Sequence, residues 1–524
     1  MMTASEDKKR KIEFFLKQNV LVSPEFLDDL DEESITQISK NISSEVAVLD
    51  RDSTKIIEKR PNQDINWAEL EKYKALYEKK KDTKVYSKFK AYLLEEQVEK
   101  EKEFKQGTTK VIFSYNKESK KRSVSDFVAY FNARYRKIKQ ILQQQNKLKN
   151  IASINRISRK KESENVSIIG AVLEKHITKN NNIIIKLEDP TGIINVIITK
   201  TKPDLMHSVG DLVKDEIIGV VGVSANDAVF ANEVIWPDVP NQDIKKSEEE
   251  AYAVFISDLH VGSNKFLADD FNRFLKWINC KAGNEQQREI ATKVRYLFII
   301  GDTVDGIGIY PDQESELEIK DINEQYAVFA DLLKQIPKYI QIIVCPGNHD
   351  AVRISEPQSE MRSSYASALK DIDNLILVSN PAYINIHSSD TFPGFDVLMY
   401  HGHSFDYHIA NVEGIRSKGG YDRADLVMKF VLKRRHLAPT YASTLAIPDE
   451  TEDRLVIDKV PDFFVTGHLH KTAVSQYRHI ILICGSCWQS KTTFQEKMGH
   501  NPEPSRVPVV NLKTREIKVM KFGK

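Results

Sequence analysis

The chain has 524 residues, 41% of them hydrophobic, and its 76 Lys plus Arg nearly balance 75 Asp plus Glu for a formal net charge of +1. That length exceeds one hydrophobic core and suggests about three domains, while the charge balance excludes a global field that gathers nucleic acid, so polyanion affinity must come from local patches. Four cysteines, Cys280, Cys345, Cys484 and Cys487, exclude a disulfide framework and point to reducing surroundings. Residues 1–20 are charged throughout without a secretory apolar region, and no run of about 18 apolar residues occurs, so a soluble cytoplasmic, nucleoid-associated protein with no membrane partner is expected.

In chain order, residues 1–75 read as a small α-helical domain: Ile12, Phe14, Phe15 and Leu16 cluster, and Ser23-Pro24-Glu25 is a helix start signal. Residues 76–122 are dense in charge, with Lys79-Lys80-Lys81 and Lys120-Lys121-Arg122, and read as a flexible linker. Over 123–150 the spacing of Phe127, Tyr130, Phe131, Tyr135, Ile138, Ile141 and Leu142 predicts one amphipathic helix, with a basic face carrying Arg134, Arg136, Lys137 and Lys139. This helix either packs on a neighbour or meets DNA or a partner. Residues 151–245 switch to a strand period: five β-type runs, starting at Val166, Ile183, Ile193, Ile217 and Val229, with the turn Asp189-Pro190-Thr191-Gly192, suit an OB-fold barrel. Phe230 and Trp236 are its two candidates for base stacking.

From 250 to 524 the pattern becomes strand, helix, strand, as in a layered α/β domain. Five polar clusters each follow an apolar run: Asp258-Leu259-His260, Gly301-Asp302-Thr303-Val304-Asp305, Gly347-Asn348-His349-Asp350, His401-Gly402-His403 and Gly467-His468-Leu469-His470. Ligands collect beyond the carboxyl ends of strands in such domains, so the clusters are expected to meet on one rim of one sheet.

Their chemistry suits a two-metal phosphoesterase. A phosphodiester resists attack because its oxygens are negative, and two cations about 3.5–4 Å apart neutralise that charge and activate a water. Asp258 and His260 alternate so that one loop grips one ion, Asp302 is the natural bridge, Asn348 offers an uncharged oxygen, and His401, His468 and His470 supply nitrogens. Either His401 or His403 can ligate; His401 sits nearer its strand. His349 is the candidate general acid, Asp350 the group to orient it, and Asp305 a support for Asp302 or its loop. Lys433, Arg434 and Arg435 are candidate DNA-phosphate contacts. Cys484-Gly485-Ser486-Cys487 reads as small residues at a strand end rather than a zinc half-site.

The order of the five clusters resembles the calcineurin-like metallophosphoesterase superfamily. The flanking domains, together with Arg434-Arg435-His436-Leu437-Ala438-Pro439, Trp488-Gln489 and Pro504-Ser505-Arg506-Val507-Pro508, resemble the small-subunit family of archaeal family D DNA polymerases. That resemblance implies a 3′–5′ exonuclease that proofreads single-stranded DNA 3′ ends for a separate large catalytic subunit. It implies one ion held by Asp258, His260, Asp302 and His470 and another by Asp302, Asn348, His401 and His468, with His349 as acid. Manganese is the expected metal, and the ligand set also tolerates iron or zinc. The alternatives are an architectural subunit with a silent site and a free phosphodiesterase or phosphatase.

Overall fold

The computed structural model describes residues 108–523 except 119, 160, 161 and 363, and before them only 10–12, 14, 15, 21, 22, 35, 48 and 49. The chain divides into two compact units, Met1–Phe104 and Lys105–Lys524. In the first, Leu21–Val22 (β1) pairs in parallel with Val48–Leu49 (β2); most of the expected helical domain and linker lies outside the described residues.

The second unit begins inside the stretch read as linker. Val111-Ile112-Phe113 is a β-type run within the charged segment, and Thr109–Ser114 (β3) pairs antiparallel with Ala382–Ile386 (β13). The linker expected over 76–122 therefore does not extend to 122, because a sheet edge some 270 residues away in sequence captures this run. Helix α1 (Val124–Gln143) follows, opened by a Ser123/Asp126 capping box. Its buried face is Tyr130, Ala133, Tyr135, Ile138 and Leu142 together with Arg134, which the sequence placed on the basic face. The Arg134 guanidinium lies 2.6 Å from Asp453 with both side chains buried, so the helix is packed rather than offered to DNA along that line.

The barrel matches its expected runs. Glu164–Ile177 (β4), Ile183–Asp189 (β5), Gly192–Ile198 (β6), Ile217–Ala225 (β7) and Ala228–Ile235 (β8) close in the order β4-β5-β6-β8-β7. Closure leaves no edge within the barrel, and alternate side chains such as Ile168, Ile185, Leu187, Val196, Val220 and Val229 fill its interior.

The α/β domain carries two sheets where one was expected. Tyr252–Ile256 (β9), Val294–Ile300 (β10), Gln341–Cys345 (β11), Leu375–Leu377 (β12), Arg506–Asn511 (β18) and Ile517–Lys521 (β19) form the first, in the order β12-β11-β10-β9-β18-β19. Phe395–Met399 (β14), Phe463–Thr466 (β15), Ala473–Tyr477 (β16) and Ile480–Cys484 (β17) join β13 and β3 in the second. Strand alternation fixes the layering. Phe255, Phe298, Ile343, Val397, Phe463 and Ile483 point into the space between the sheets. Val254, Leu297 and Ile342 face Phe271, Phe274, Tyr326 and Phe329, which belong to α2 (Ala268–Ile278) and α3 (Ile322–Leu333). Leu398, Phe464 and Leu482 face α4 (Ala424–Arg434) on the far side. The result is a four-layer α/β/β/α stack. Among the described residues no helix is long and apolar enough to cross a membrane.

Candidate metal centre

All five clusters lie at the carboxyl ends of their strands, but three (β9, β10, β11) belong to one sheet and two (β14, β15) to the other. The rim is thus shared between two stacked sheets. Each loop turns sharply as it leaves its strand: Asp258, His260, Asp302, His468 and His470 have φ of 52°, 53°, 48°, 68° and 54°. Left-handed backbone is uncommon for residues with a Cβ and costs on the order of 1 kcal/mol or more each, so its concentration here marks strain held at a site by the surrounding fold. Two glycines make room for the carboxylates. A Cβ on Gly347 would lie 2.2 Å from Asp302 Oδ1, and one on Gly467 would lie 2.6 Å from Asp258 Oδ2.

Two sets of ligand atoms stand side by side. Asp258, His260 and His470 have donor atoms within 4.8 Å of one another, as do Asp302, His401 and His468. Asp302 Oδ2 lies 3.2 Å from His401 Nε2 and 3.9 Å from His260 Nε2, between the two sets. Asn348 Oδ1 is 3.1 Å from His401 Nε2. His403 stands apart from both sets, its ring 5.8 Å from that of His468, and burial pushes its imidazole down to about 4.

Hydrogen bonding on the outer sides of the rings tests whether a cation fits. His401 Nδ1 lies 2.9 Å from the carbonyl oxygen of Ile300, an atom that only accepts, so Nδ1 carries the proton. The lone pair on His401 Nε2 then faces two more acceptors, Asp302 Oδ2 and Asn348 Oδ1. His260 is set the same way, with Nδ1 3.0 Å from Asp305 Oδ1 and Nε2 turned inward. Convergent acceptors with no donor between them need a positive charge. In the chain alone a proton serves: burial opposes charge on His401, yet the Asp302 carboxylate overcomes it and lifts the imidazole to about 10. Asp302 responds in the opposite sense, held well below the usual carboxylate range against its own burial by His401. The mixed nitrogen and oxygen donor set is one that divalent manganese, iron or zinc accepts.

The outer contacts correct one role and add others. Asp350 does not touch the His349 ring. Its carboxylate accepts from Gly347 N at 2.8 Å and from the Thr303 hydroxyl, so it pins the loop that presents Asn348 and His349. Burial, with Asp302 nearby, raises it to about 6. His349 is oriented instead by the Asp305 carbonyl, 2.8 Å from its Nδ1, which leaves Nε2 as the atom that exchanges a proton. Burial lowers the His349 pKa. Asp305 supports His260 through its side chain and is itself held by Gln313 and Gln489, each at 3.0 Å. Asp406, 2.8 Å from His468 Nε2, and Gln495, 2.9 Å from His470 Nδ1, were missed in the sequence. Asp406 lies three residues beyond His403, in the first turn of the short helix Phe405–Asn411.

Lys433, Arg434 and Arg435 do not form a phosphate grip. Arg434 is 4% exposed, 2.7 Å from the equally buried Glu216 of the barrel, and it donates to the Asp211 carbonyl at 2.6 Å. Arg435 donates to the carbonyls of Ile457 and Asp458, and the Lys433 ammonium sits 3.8 Å from the centre of the Trp236 ring. Trp236 is buried and donates to Glu216 at 3.2 Å, so it is no stacking surface for bases. The basic run is short of solvent because the barrel docks on it.

Residues 253–475 match the family model for the B subunit of DNA polymerase alpha/epsilon. The chain is 42% identical over 388 residues to the DNA polymerase II small subunit of Methanothermobacter thermautotrophicus, covering 74% of this chain and 78% of that one. It is 37% identical over 402 residues to the DNA polymerase II small subunit of Archaeoglobus fulgidus, covering 76% and 78%. The same-named protein of Halobacterium salinarum is 36% identical over 401 residues, covering 76% and 75%. With a closed five-stranded barrel docked on a two-sheet domain and these relatives along three quarters of its length, the chain belongs to the family of archaeal DNA polymerase II (family D) small subunits.

Proposed function

We propose that this chain is the two-metal 3′–5′ exonuclease subunit of its polymerase, hydrolysing phosphodiesters at unpaired DNA 3′ ends for proofreading beside a large catalytic subunit. The observation that carries the reading is the pair of ligand sets meeting at Asp302, with His349 next to them. Asp258, His260, Asp302 and His470 would hold one divalent ion, and Asp302, Asn348, His401 and His468 the other, with manganese the preferred metal. Bound there, the pair of ions would neutralise phosphate charge and lower the pKa of a water.

The chain's own residues do the rest. Asp305 and the Ile300 carbonyl fix the orientation of His260 and His401, so both Nε2 atoms point inward, and a bound cation would take the place of the proton on His401. The His349 backbone N–H donates to Asp302 Oδ1 at 2.8 Å, tying the acid-bearing loop to the bridging carboxylate. The His349 ring, 4.6 Å from that of His260, presents Nε2 to take up a proton and pass it to a leaving oxygen.

The test is manganese-dependent release of nucleoside monophosphates from a DNA 3′ end by the purified chain and by its complex with the large subunit. Asp302→Ala and His349→Ala should abolish release while preserving the fold and the complex. Release at the native rate by both variants refutes the site assignment.

A further inference from the structure

We infer that Tyr310 and Phe494 form a stacking platform for the base of the unpaired 3′-terminal nucleotide; this deepens the nuclease reading and rests on it. Two loops from opposite ends of the domain meet beside the ligand cluster. Tyr310 follows Gly306 and Gly308, which both have φ of 73° and carry the loop out from Asp305. Phe494 lies in the short helix α5 (Thr493–Lys497). Their rings stack with centroids 5.3 Å apart and planes at 27°, and the Tyr310 ring centroid is 6.3 Å from that of His349. The three rings run in order from the acid outward.

The pair is built, not incidental. Glu316 accepts the Tyr310 hydroxyl at 2.9 Å on one oxygen and the Thr493 N–H at 2.9 Å on the other, so a single carboxylate clamps both loops. Gln495, one residue beyond Phe494, reaches His470 Nδ1 at 2.9 Å. The platform is thereby tied to a metal ligand on one side and lies close to His349 on the other. Yet Phe494 is 42% exposed, and Ile307 and Met498 nearby are 49% and 58% exposed. A rigidly held aromatic gains little from burial when it faces water, whereas a π-face next to a phosphoester site offers any base a stack, independent of sequence. The loops bearing Lys265 and Lys491 join at a backbone hydrogen bond, from Ser490 N to the Lys265 carbonyl at 2.9 Å. A paired terminal base is already stacked in its duplex, so the platform favours frayed or mismatched ends.

The experiment uses the full chain and a single strand whose 3′-terminal base is 2-aminopurine behind a phosphorothioate linkage that slows cleavage. Stacking quenches the probe, and anisotropy of a 5′ label reads binding. Wild type should quench it. Phe494→Ala and Tyr310→Ala should leave it bright and weaken binding by roughly five- to hundredfold, the loss of one stacked base, while Tyr310→Phe, which keeps the ring, should quench as wild type. A wild-type chain that leaves the probe bright, or a Phe494→Ala chain with native thermal unfolding that quenches it fully, overturns the inference. Nucleotide release from an unmodified strand is followed in parallel: quenching without release sinks the nuclease reading and spares the platform, and release without quenching does the reverse.

Discussion

Replacing Arg434 by Met separates its role as cement between barrel and α/β domain from the phosphate contact its sequence suggested. The guanidinium and the Glu216 carboxylate are both buried and 2.7 Å apart. Glu216 also accepts from Val213 N at 2.6 Å and from the Trp236 indole at 3.2 Å. Removing one member of such a pair leaves the other charge buried without a counter-ion, a loss of about 3–5 kcal/mol. Arg434→Met should therefore lower stability by that amount, and Glu216→Gln, which strands the guanidinium but keeps an acceptor for Trp236, by a similar one. The double variant removes both charges and should lose much less than the sum, with a coupling of roughly 2 kcal/mol or more. Urea unfolding followed by tryptophan fluorescence measures all four corners. The pH dependence has a definite sign. Burial already raises the Glu216 pKa, and loss of Arg434 raises it further, so the folded variant binds that proton more tightly than the unfolded chain. The contribution of this one group is then full at low pH and is lost as pH rises through the folded pKa, so the defect at pH 8 should exceed that at pH 5. An additive cycle, or a cost below about 1 kcal/mol for Arg434→Met, refutes the reasoning.

Asp406→Asn and Asp305→Asn, which loosen His468 and His260 without removing a ligand, should weaken manganese binding by about 10- to 100-fold, measured by calorimetry. Gly347→Ala places a Cβ 2.2 Å from Asp302 Oδ1, so calorimetry on that variant should show manganese binding lost; native affinity there removes the argument from close approach. His436 is buried as a neutral ring, accepting from Ala438 N at Nδ1 and donating from Nε2 to Asp453. Burial, with Arg134 beside it, pushes it down to about 4. A depressed folded pKa means stability that is full above about 6.5 and drains as pH falls toward 4, worth roughly 3 kcal/mol. His436→Gln should flatten the acid limb of the stability profile in that window, read from melting temperature against pH.

The barrel and the strands of the α/β domain were legible because their signals are local. Short apolar runs such as Ile183-Ile184-Ile185 and Tyr296-Leu297-Phe298, β-branched or aromatic, break at Gly or Asp, and both lie in strands. The seven proposed ligands were legible for a related reason: each stands directly after such a run, where an α/β fold puts its chemistry. Charge was the misleading signal. Arg134, Arg434 and Arg435 look like solvated cations in a one-dimensional pattern, and each is buried against an acid or carbonyl hundreds or tens of residues away. Asp350 pins a loop and the Asp305 carboxylate meets His260, because which carboxylate meets an imidazole depends on the turn of the loop, not on adjacency.

The sequence by itself thus determined which residue types gather at the strand ends. Tertiary structure alone decided that the rim is divided between two stacked sheets, that Asp302 stands between two ligand sets, and that Tyr310 meets Phe494 across a span of 184 residues. Periodicity records which face of a strand or helix is apolar, since burial is repaid along the local chain. It holds no record of which loops later share a rim, because that depends on how two finished sheets slide together over Phe255, Phe298 and Phe463.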